Sequence, residues 1–340
     1  MKKIFLILLI LFVGIVSGEQ LFQLKELVNP DEITIIKDSL YVLDGVKVQV
    51  FSLQDGRLVN QFGEEGRGPG ELVQNPDIPV VMRKSGDTIV LNSINKIVFY
   101  SSSGKMLKEK TFPFIVLQII PVGDDFIINK FGRHESGVGQ LSVVLTDSEF
   151  NIKQTYYSCN LLNDRKKGKI AYPLLGLLIR FFNQKVFIVD QQRNFEIDVF
   201  DLTGKKLTTI KKDYVQVPIT RKLINEKKEW LKIQPAYREA PHLMERMIYF
   251  LSHLASIRNF FANKDGIIVE TNKKRDNLTE FFVFDHQGRL IKRTFLPHHT
   301  EDKFYMVIQA CFRVCNGNYY YLEENTGEDS WELHRKKILD

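Results

Sequence analysis

Several residue types that define whole classes of protein are scarce in this sequence. Its 340 residues include three Cys, 11 Pro and 21 Gly. Three Cys, without a CxxC or Cys/His spacing typical of zinc sites, are too few for a disulfide-rich scaffold. The Pro and Gly contents exclude collagen-like and low-complexity chains, and 44% hydrophobic with 26% charged residues excludes intrinsic disorder. The chain must therefore form a packed globular body.

Charge of one sign and long apolar runs are scarce as well. The 47 Lys and Arg residues against 41 Asp and Glu give a net charge of +6, which is too small an excess to indicate nucleic-acid binding. One apolar run, residues 4–13, follows Lys2 and Lys3 and precedes small residues that end at Gly18. This arrangement is typical of a secretory signal peptide, and the run is shorter than the roughly 20 residues of a membrane-spanning helix.

We therefore expect residues 1–18 to be a signal peptide, with an uncleaved membrane anchor as the alternative. The mature chain, residues 19–340, keeps 45 basic against 41 acidic residues. The predicted location is the periplasm, the cell surface or the extracellular space, with no integral membrane span after cleavage.

A hairpin repeats along the rest of the sequence. Each copy has a short apolar strand, a polar turn and a second apolar strand that ends in a polar residue. Segments such as 88–91 and 186–189 are apolar without alternation, which predicts burial on both faces. The six copies pair residues 33–36 with 40–44, 78–82 with 88–92, 116–120 with 126–129, 177–182 with 186–190, 257–261 with 267–270, and 306–314 with 319–323.

Each hairpin leads into a third strand, but only five copies continue into a fourth. Residues 21–27 alternate apolar and polar side chains, as an outer strand does, and would complete the last copy. The sequence therefore predicts an all-β fold, a six-bladed β-propeller closed by an N-terminal outer strand, because closing the ring removes two exposed sheet edges. A β-sandwich or an open solenoid does not explain the missing strand.

One segment carries a family resemblance. Residues 62–72, FGEEGRGPGEL, followed by Pro76, resemble the glycine-proline signature of NHL-type repeats. The wider chain resembles exported bacterial six-bladed propellers of the NHL/TolB-like group. This resemblance implies the fold and leaves the function open, because the architecture hosts binding, scaffolding and catalysis alike.

The long connections of the predicted propeller emerge on one side, which we call the loop-rich face. They are the links between blades and several links between second and third strands. Variable loops on a rigid scaffold are where recognition usually resides. Five basic side chains in these loops are candidates for binding an anionic group, with ordinary surface charge as the alternative interpretation: Arg67, Arg133, His134, Arg193 and Arg275.

The longest link, about residues 214–256, falls between blades 4 and 5. Residues 220–231 and 241–254 both have helical spacing of apolar side chains, and a favourable Thr precedes the first. We expect a helical insertion that packs its apolar side on the propeller rim, with binding of a partner or a membrane as the alternative.

Two patterns could support metal chemistry. His298, His299 and Glu301 offer transition-metal ligands, although a solvated loop is the simpler interpretation. The ends of second strands carry oxygen ligands that could bind calcium, as in the hydrolytic propellers of the gluconolactonase type that they resemble, although turn or hydrogen-bonding duty is the simpler interpretation. These residues are Asp44, Asn92, Asn129, Asp190 and Glu270.

No local motif of nucleophilic catalysis is present, so no catalytic residue and no cofactor are predicted. The sequence favours a non-catalytic exported binding propeller whose loop-rich face, over the central channel, holds an anionic ligand, a glycan or a protein partner. A calcium-assisted hydrolase or lactonase is the alternative, and a structural module of an envelope assembly is a third possibility.

Overall fold

The computed structural model describes residues 18–75, 78–135, 137–161, 163–164, 169–233, 248–298 and 310–339. Six four-stranded antiparallel sheets are arranged as the blades of a β-propeller. In blades 1 to 5 the four strands follow one another in sequence order. The prediction of a six-bladed all-β propeller is confirmed.

The first half of the chain forms β1 and blades 1 to 3. Before and within blade 1 the strands are β1 Glu19–Leu24, β2 Pro30–Ile36, β3 Ser39–Asp44, β4 Lys47–Ser52 and β5 Leu58–Phe62. Two short strands, β6 Glu64–Glu65 and β7 Glu71–Leu72, lead to blade 2, with β8 Val81–Ser85, β9 Thr88–Asn92, β10 Lys96–Ser101 and β11 Met106–Thr111. Blade 3 has β12 Ile115–Val122, β13 Asp125–Arg133, β14 Gly139–Thr146 and β15 Ile152–Asn160.

The second half continues in the same way. After β16 Asn163–Asp164 and β17 Lys169–Tyr172, blade 4 has β18 Leu177–Phe182, β19 Lys185–Asp190, β20 Glu196–Asp201 and β21 Lys206–Lys211. The helix α1 Arg221–Ile233 and the strand β22 Ile248–Phe250 precede blade 5, with β23 Asn259–Asn263, β24 Gly266–Arg275, β25 Leu278–Phe284 and β26 Leu290–Pro297. Blade 6 has β27 Phe312–Cys315, β28 Asn318–Asn325 and β29 Ser330–Lys337.

The hydrophobic core is a ring of clusters between neighbouring blades. Ile89 and Leu91 of blade 2 pack with Leu43 and Val48 of blade 1, and corresponding clusters fill the other interfaces. This arrangement explains the unalternating apolar strands, because each sheet is covered on both faces by its neighbours.

The N-terminal strand closes the ring. β1 pairs antiparallel with β29, so that Glu19 lies opposite Arg335 and Leu24 opposite Trp331. The Arg335 guanidinium lies 2.7 Å from the Glu19 carboxylate, and Leu24 is fully buried. The predicted closure is confirmed, since the N-terminus supplies the fourth strand of blade 6.

The insertion between β21 and β23 contains one described helix. α1 begins after Thr220, whose Oγ1 accepts a hydrogen bond from the Leu223 amide at 3.3 Å, as an N-cap does. The second predicted helix, 241–254, is wrong over its described part, because Ile248–Phe250 pairs in parallel with β17 instead. The apolar residues of this segment, although at helical spacing, belong to a paired strand. Residues 234–247 lie outside the described part of the chain. No described helix is long and apolar enough to cross a membrane.

Candidate functional site

The strand order fixes which residues meet at the centre of the disc. The first strands of successive blades contact one another, as β2 does with β27 and β18 with β23, so they surround the central channel. These first strands begin, and the second strands end, at the loop-rich face. Links between blades and links between second and third strands therefore emerge together there.

The five predicted binding residues lie at that face but have different surroundings. The expectation that all five lie in loops is wrong for Arg133 and Arg275, which are the last residues of β13 and β24 because these strands extend further than their apolar patterns. Arg67, Arg133 and His134 are exposed. Arg275 is exposed too, and its guanidinium carbon lies 4.1 Å from the centre of the Phe295 ring. They come from blade 3, blade 5 and the link between blades 1 and 2, so they encircle the face rather than form one cluster.

Arg193 is the exception, because it is half-buried and paired with acids. Its Nη1 donates to Asp198 Oδ2 at 2.7 Å, and its Nη2 forms an ion pair with Glu196. Burial alone raises the pKa of Asp198, but hydrogen bonds from Lys206, Thr209 and Arg193 outweigh it and hold that pKa below its usual value. The charge of Arg193 is thus neutralised within blade 4.

The strand-end polar residues connect neighbouring segments. Asp44 accepts hydrogen bonds from the amides of Val28 and Asn29 at 2.8 and 3.1 Å. Asn129 donates to the Leu177 carbonyl at 2.8 Å, and Asp190 accepts from the Tyr157 hydroxyl at 2.8 Å. Within the described ranges, no three His, Cys, Asp or Glu side chains converge as metal ligands would.

His298 contradicts the expectation of a solvated loop. Its side chain is 5% exposed, and its Nε2 lies 3.2 Å from Glu270 Oε1. The ring packs edge-on against Phe312 at 4.6 Å between centroids. Packing between blades 5 and 6 explains this burial. His299 and Glu301, the other two proposed metal ligands, lie outside the described residues.

The inner strands hold a group of polar side chains that the loop-based reasoning missed. Each blade contributes one residue, with arginines from blades 2, 4 and 6 and hydrogen-bond acceptors from blades 1, 3 and 5. We call this group the channel ring, and its members in blade order are Glu32, Arg83, Gln118, Arg180, Asn259 and Arg313.

Hydrogen bonds link the ring around most of the channel. Glu32 Oε1 accepts from Arg83 Nη1 at 2.7 Å and from Arg313 Nη2 at 2.5 Å. The Gln118 side chain satisfies both ends of its amide when its oxygen faces the arginines. In this orientation the oxygen accepts from Arg83 Nη2 at 2.5 Å and from Arg180 Nη1 at 3.2 Å. Asn259 Oδ1 accepts from Arg180 Nη2 at 2.7 Å.

The ring carries three positive charges against one negative charge. Burial raises the pKa of Glu32, but Arg83 and Arg313 outweigh that effect and hold it below its usual value, so Glu32 is ionised near neutral pH. Burial, together with repulsion by Arg83 and Arg313, lowers the pKa of Arg180 well below its ordinary value. Arginine keeps its proton in proteins, so Arg180 stays positively charged even though its surroundings disfavour that charge.

Two groups of the ring lack a matching partner among the described residues. Arg180 forms no ion pair there; it contacts Asn259, Gln118, the Ile179 carbonyl and the faces of two Phe rings. Asn259 is fully buried, and its Nδ2 has no hydrogen-bond acceptor. Arg83 and Arg313 keep 15% and 16% of their side-chain surface accessible.

A sequence signal for the ring does exist. Arg180 and Arg313 each interrupt an apolar first strand of the repeat, and Arg83 follows the apolar residues Val81 and Met82 of its strand. A charged residue at that place in a propeller repeat faces the channel, so aligning the six first strands would have found the three arginines.

A hollow on the outer rim is separate from the channel. Its volume is about 410 Å³, and it is lined by Lys110, Thr111, Phe112, Pro113, Glu149 and Phe150. The Lys110 ammonium already lies 3.0 Å from the Glu149 carboxylate. The rim hollow therefore satisfies its own charges, unlike the channel ring.

The fold and its polar channel define the class of the protein as a six-bladed β-propeller. Residues 24–170 match a family described as "6-bladed beta-propeller". A predicted exported protein of Bacteroides fragilis NCTC 9343 has a similar structure, with a TM-score of 0.53, 14% identity and 94% of each chain covered. At this identity the likeness shows the fold.

Two further solved structures match with lower TM-scores. The WD40 domain of Neurospora crassa Pan2 has a TM-score of 0.42 and 8% identity, and the match covers 91% of this chain and 76% of that one. A luciferin-regenerating enzyme has a TM-score of 0.44 and 8% identity, covering 94% and 92% of the two chains. A comparison with the curated proteins finds no match.

Proposed function

We propose that this protein is an exported, non-catalytic binding propeller that recognises an anionic ligand on the loop-rich face over the central channel. One observation carries the proposal. Arg67, Arg133 and Arg275 are exposed on that face, come from different parts of the ring, and form no ion pair with any described residue. A guanidinium group offers a planar fork of donors that fits carboxylate, sulfate or phosphate.

The spacing of these arginines favours a large ligand. Since they surround the face instead of meeting at one point, one small anion cannot contact all of them. An acidic glycan or an acidic protein segment presents several negative groups at once, and a rigid, closed scaffold binds it without paying for its own ordering. His134 lies beside Arg133 and belongs to the same proposed surface.

Export and family relationship are parts of the proposal. The N-terminal pattern of residues 1–18 supports export, and so does the description of the Bacteroides fragilis neighbour as exported. The glycine-proline segment of residues 62–72 supports a relationship to the NHL/TolB-like group. The mature propeller would then comprise residues 19–340 and work in the periplasm, at the cell surface or outside the cell.

A calcium-assisted hydrolase is the weaker candidate, because no three acidic, histidine or cysteine side chains converge among the described residues, although both Glu270 carboxylate oxygens are buried without a hydrogen-bond partner there. Asp44 and Asp190 accept hydrogen bonds from neighbouring backbone and tyrosine groups. Glu270 lies 3.3 Å from Arg258 and 3.2 Å from His298. These contacts give the strand-end carboxylates a structural duty.

The test uses immobilised heparin as an anionic glycan and polyglutamate as an acidic peptide. A triple variant, R67Q/R133Q/R275Q, should weaken binding by about tenfold, since each exposed charge contributes on the order of 0.5 kcal/mol. The matched control R57Q/K105Q/R289Q removes three exposed charges from the short turns of the opposite face and should leave binding unchanged. Equal binding by both triple variants, or none by the parent protein to either probe, would refute the proposed surface.

A further inference from the structure

The three arginines of the channel ring have an arrangement that suits one particular shape of anion. They lie on alternate blades, so they face the channel axis from directions roughly 120° apart, because six blades share one turn. A tetrahedral oxyanion presents three oxygens at the same spacing around one of its bonds. A planar carboxylate has two oxygens and can pair with two of the three forks.

The charges of the ring call for a ligand with two negative charges. Arg83, Arg180 and Arg313 carry three positive charges, and Glu32 is the one carboxylate in the ring. Buried charges are normally paired, because an unpaired ion loses its hydration without replacement. Water could satisfy the spare N–H groups but could not neutralise the remaining two charges.

Unused hydrogen-bond donors of the channel ring also indicate an anion site there. Glu32 is hydrogen-bonded to Arg83 and Arg313, whereas the acceptors of Arg180 within the described ranges are all neutral. Each guanidinium has five N–H groups, so every arginine keeps donors beyond these contacts. Asn259 Nδ2 adds a fully buried donor that has no acceptor in the described part of the chain, on the same carboxamide whose oxygen accepts from Arg180.

We propose that the channel ring is the binding site of a tetrahedral oxyanion with two negative charges. The ligand is a phosphate or sulfate group, which Arg83, Arg180, Arg313 and Asn259 Nδ2 contact. This inference deepens the proposed function by naming the group that enters the channel, and rests on it for the larger ligand at the loop-rich face. The group is either a free inorganic ion or the terminal group of an ester whose remainder lies at the channel mouth.

The first experiment measures thermal unfolding and calorimetric binding of the mature chain at pH 8 and constant ionic strength. Sodium sulfate and inorganic phosphate should raise the melting temperature saturably, whereas sodium chloride and acetate should not. Glucose 6-phosphate tests the ester source: tighter binding than inorganic phosphate assigns the site to an ester, and weaker binding assigns it to the free ion. The proposal is overturned if neither inorganic oxyanion gives a saturable effect distinct from chloride.

Two variants test the assignment to the ring. R180Q removes the arginine without a carboxylate partner and should weaken oxyanion binding on the order of 10- to 100-fold, as expected for lost charge-assisted hydrogen bonds. N259D has almost the same shape and places a negative charge beside Arg180. It should melt higher than the parent in chloride and lose the response to sulfate. An N259D protein that keeps the full sulfate response contradicts the proposal even if R180Q does not fold.

Two controls separate this inference from the proposed function. R289Q, in an exposed turn on the opposite face, should respond to sulfate as the parent does. The loop variant R67Q/R133Q/R275Q should also keep its affinity for inorganic sulfate while losing heparin binding. The opposite pattern, loss of sulfate binding in the loop variant with R180Q unaffected, would overturn the ring site and leave the loop-rich surface standing.

Discussion

Arg180 of blade 4 donates through Nη2 to Asn259 Oδ1 of blade 5 across 2.7 Å. The contact joins a positive charge that has no described carboxylate partner to an amide whose other end has no acceptor among the described residues. It couples two adjacent blades at the axis of the propeller and leaves the charge unbalanced. Structural ion pairs elsewhere in the protein, such as Arg293 with Glu280, bring opposite charges together.

The Glu32→Gln variant should destabilise the protein by about 3 kcal/mol, because it leaves Arg83 and Arg313 without their shared carboxylate in a buried place. Urea unfolding in chloride measures the change. Glu280→Gln is the comparison: Glu280 is equally buried, but its partner Arg293 is half exposed and can be hydrated, so the loss should be smaller. Equal losses of stability in the two variants would contradict the argument that burial of the arginine partners makes Glu32 more important than Glu280.

Acid should remove the contribution of Glu32 to stability. Its pKa in the folded protein lies below the ordinary value of 4.5, because Arg83 and Arg313 outweigh burial. The folded state therefore binds this proton less readily than the unfolded state, so the stabilisation is complete above about pH 4.5 and is lost as the pH falls through the folded pKa. Unfolding curves between pH 7 and pH 3 should show a shallower decline for Glu32→Gln than for the parent, and parallel declines would contradict the ionised state.

Ring closure should depend on Leu24, which is fully buried where β1 meets β29. Leu24→Ala should cost about 3 kcal/mol through lost burial and the cavity left behind. The variant should also promote self-association of the protein, because a loosened β1 exposes the edge of blade 6. Unfolding and light scattering measure the two effects. Val28→Ala, at a side chain that is 84% exposed, is the control and should change neither.

Gly63, in the glycine-rich segment of residues 62–72, should be required by the backbone conformation. Gly63 has φ of +87°, and a Cβ there would lie 2.4 Å from the Val46 carbonyl oxygen. Gly63→Ala should therefore cost about 2 kcal/mol or more. At Gly86, φ is +58° and an added Cβ would meet no described atom within 4 Å, so Gly86→Ala should cost only about 1 kcal/mol. Thermal unfolding of the two variants compares them directly.

The repeat made the blades and the closing strand predictable. Strands such as β9 and β19 are short apolar runs bounded by polar turns, and that pattern is local. The role of the N-terminal segment as the missing fourth strand followed from counting the strands of the six repeats. The helix α1 was predictable for the same reason, since Thr220 and the spacing after it lie within one stretch of sequence.

Contacts between blades were not predictable in this way. Ile248–Phe250 forms a strand because β17, nearly eighty residues earlier, offers its edge, and no pattern within the segment shows that partner. The channel ring likewise assembles residues from six separate repeats. The repeat pattern placed Arg67, Arg133 and Arg275 on the loop-rich face, although Arg133 and Arg275 end strands there. The sequence alone could not show that Arg193 is already paired.

The pairing of β1 with β29 also sets the order in which the protein can be completed. Glu19 and Arg335, which form an ion pair across this junction, are 316 residues apart in the chain. Blades 1 to 5 use consecutive segments and can form as each segment emerges, whereas blade 6 must wait until β29 exists. A chain that lacks blade 6 therefore leaves blades 1 and 5 each without one neighbour, and its channel lacks Arg313, the second arginine that contacts Glu32.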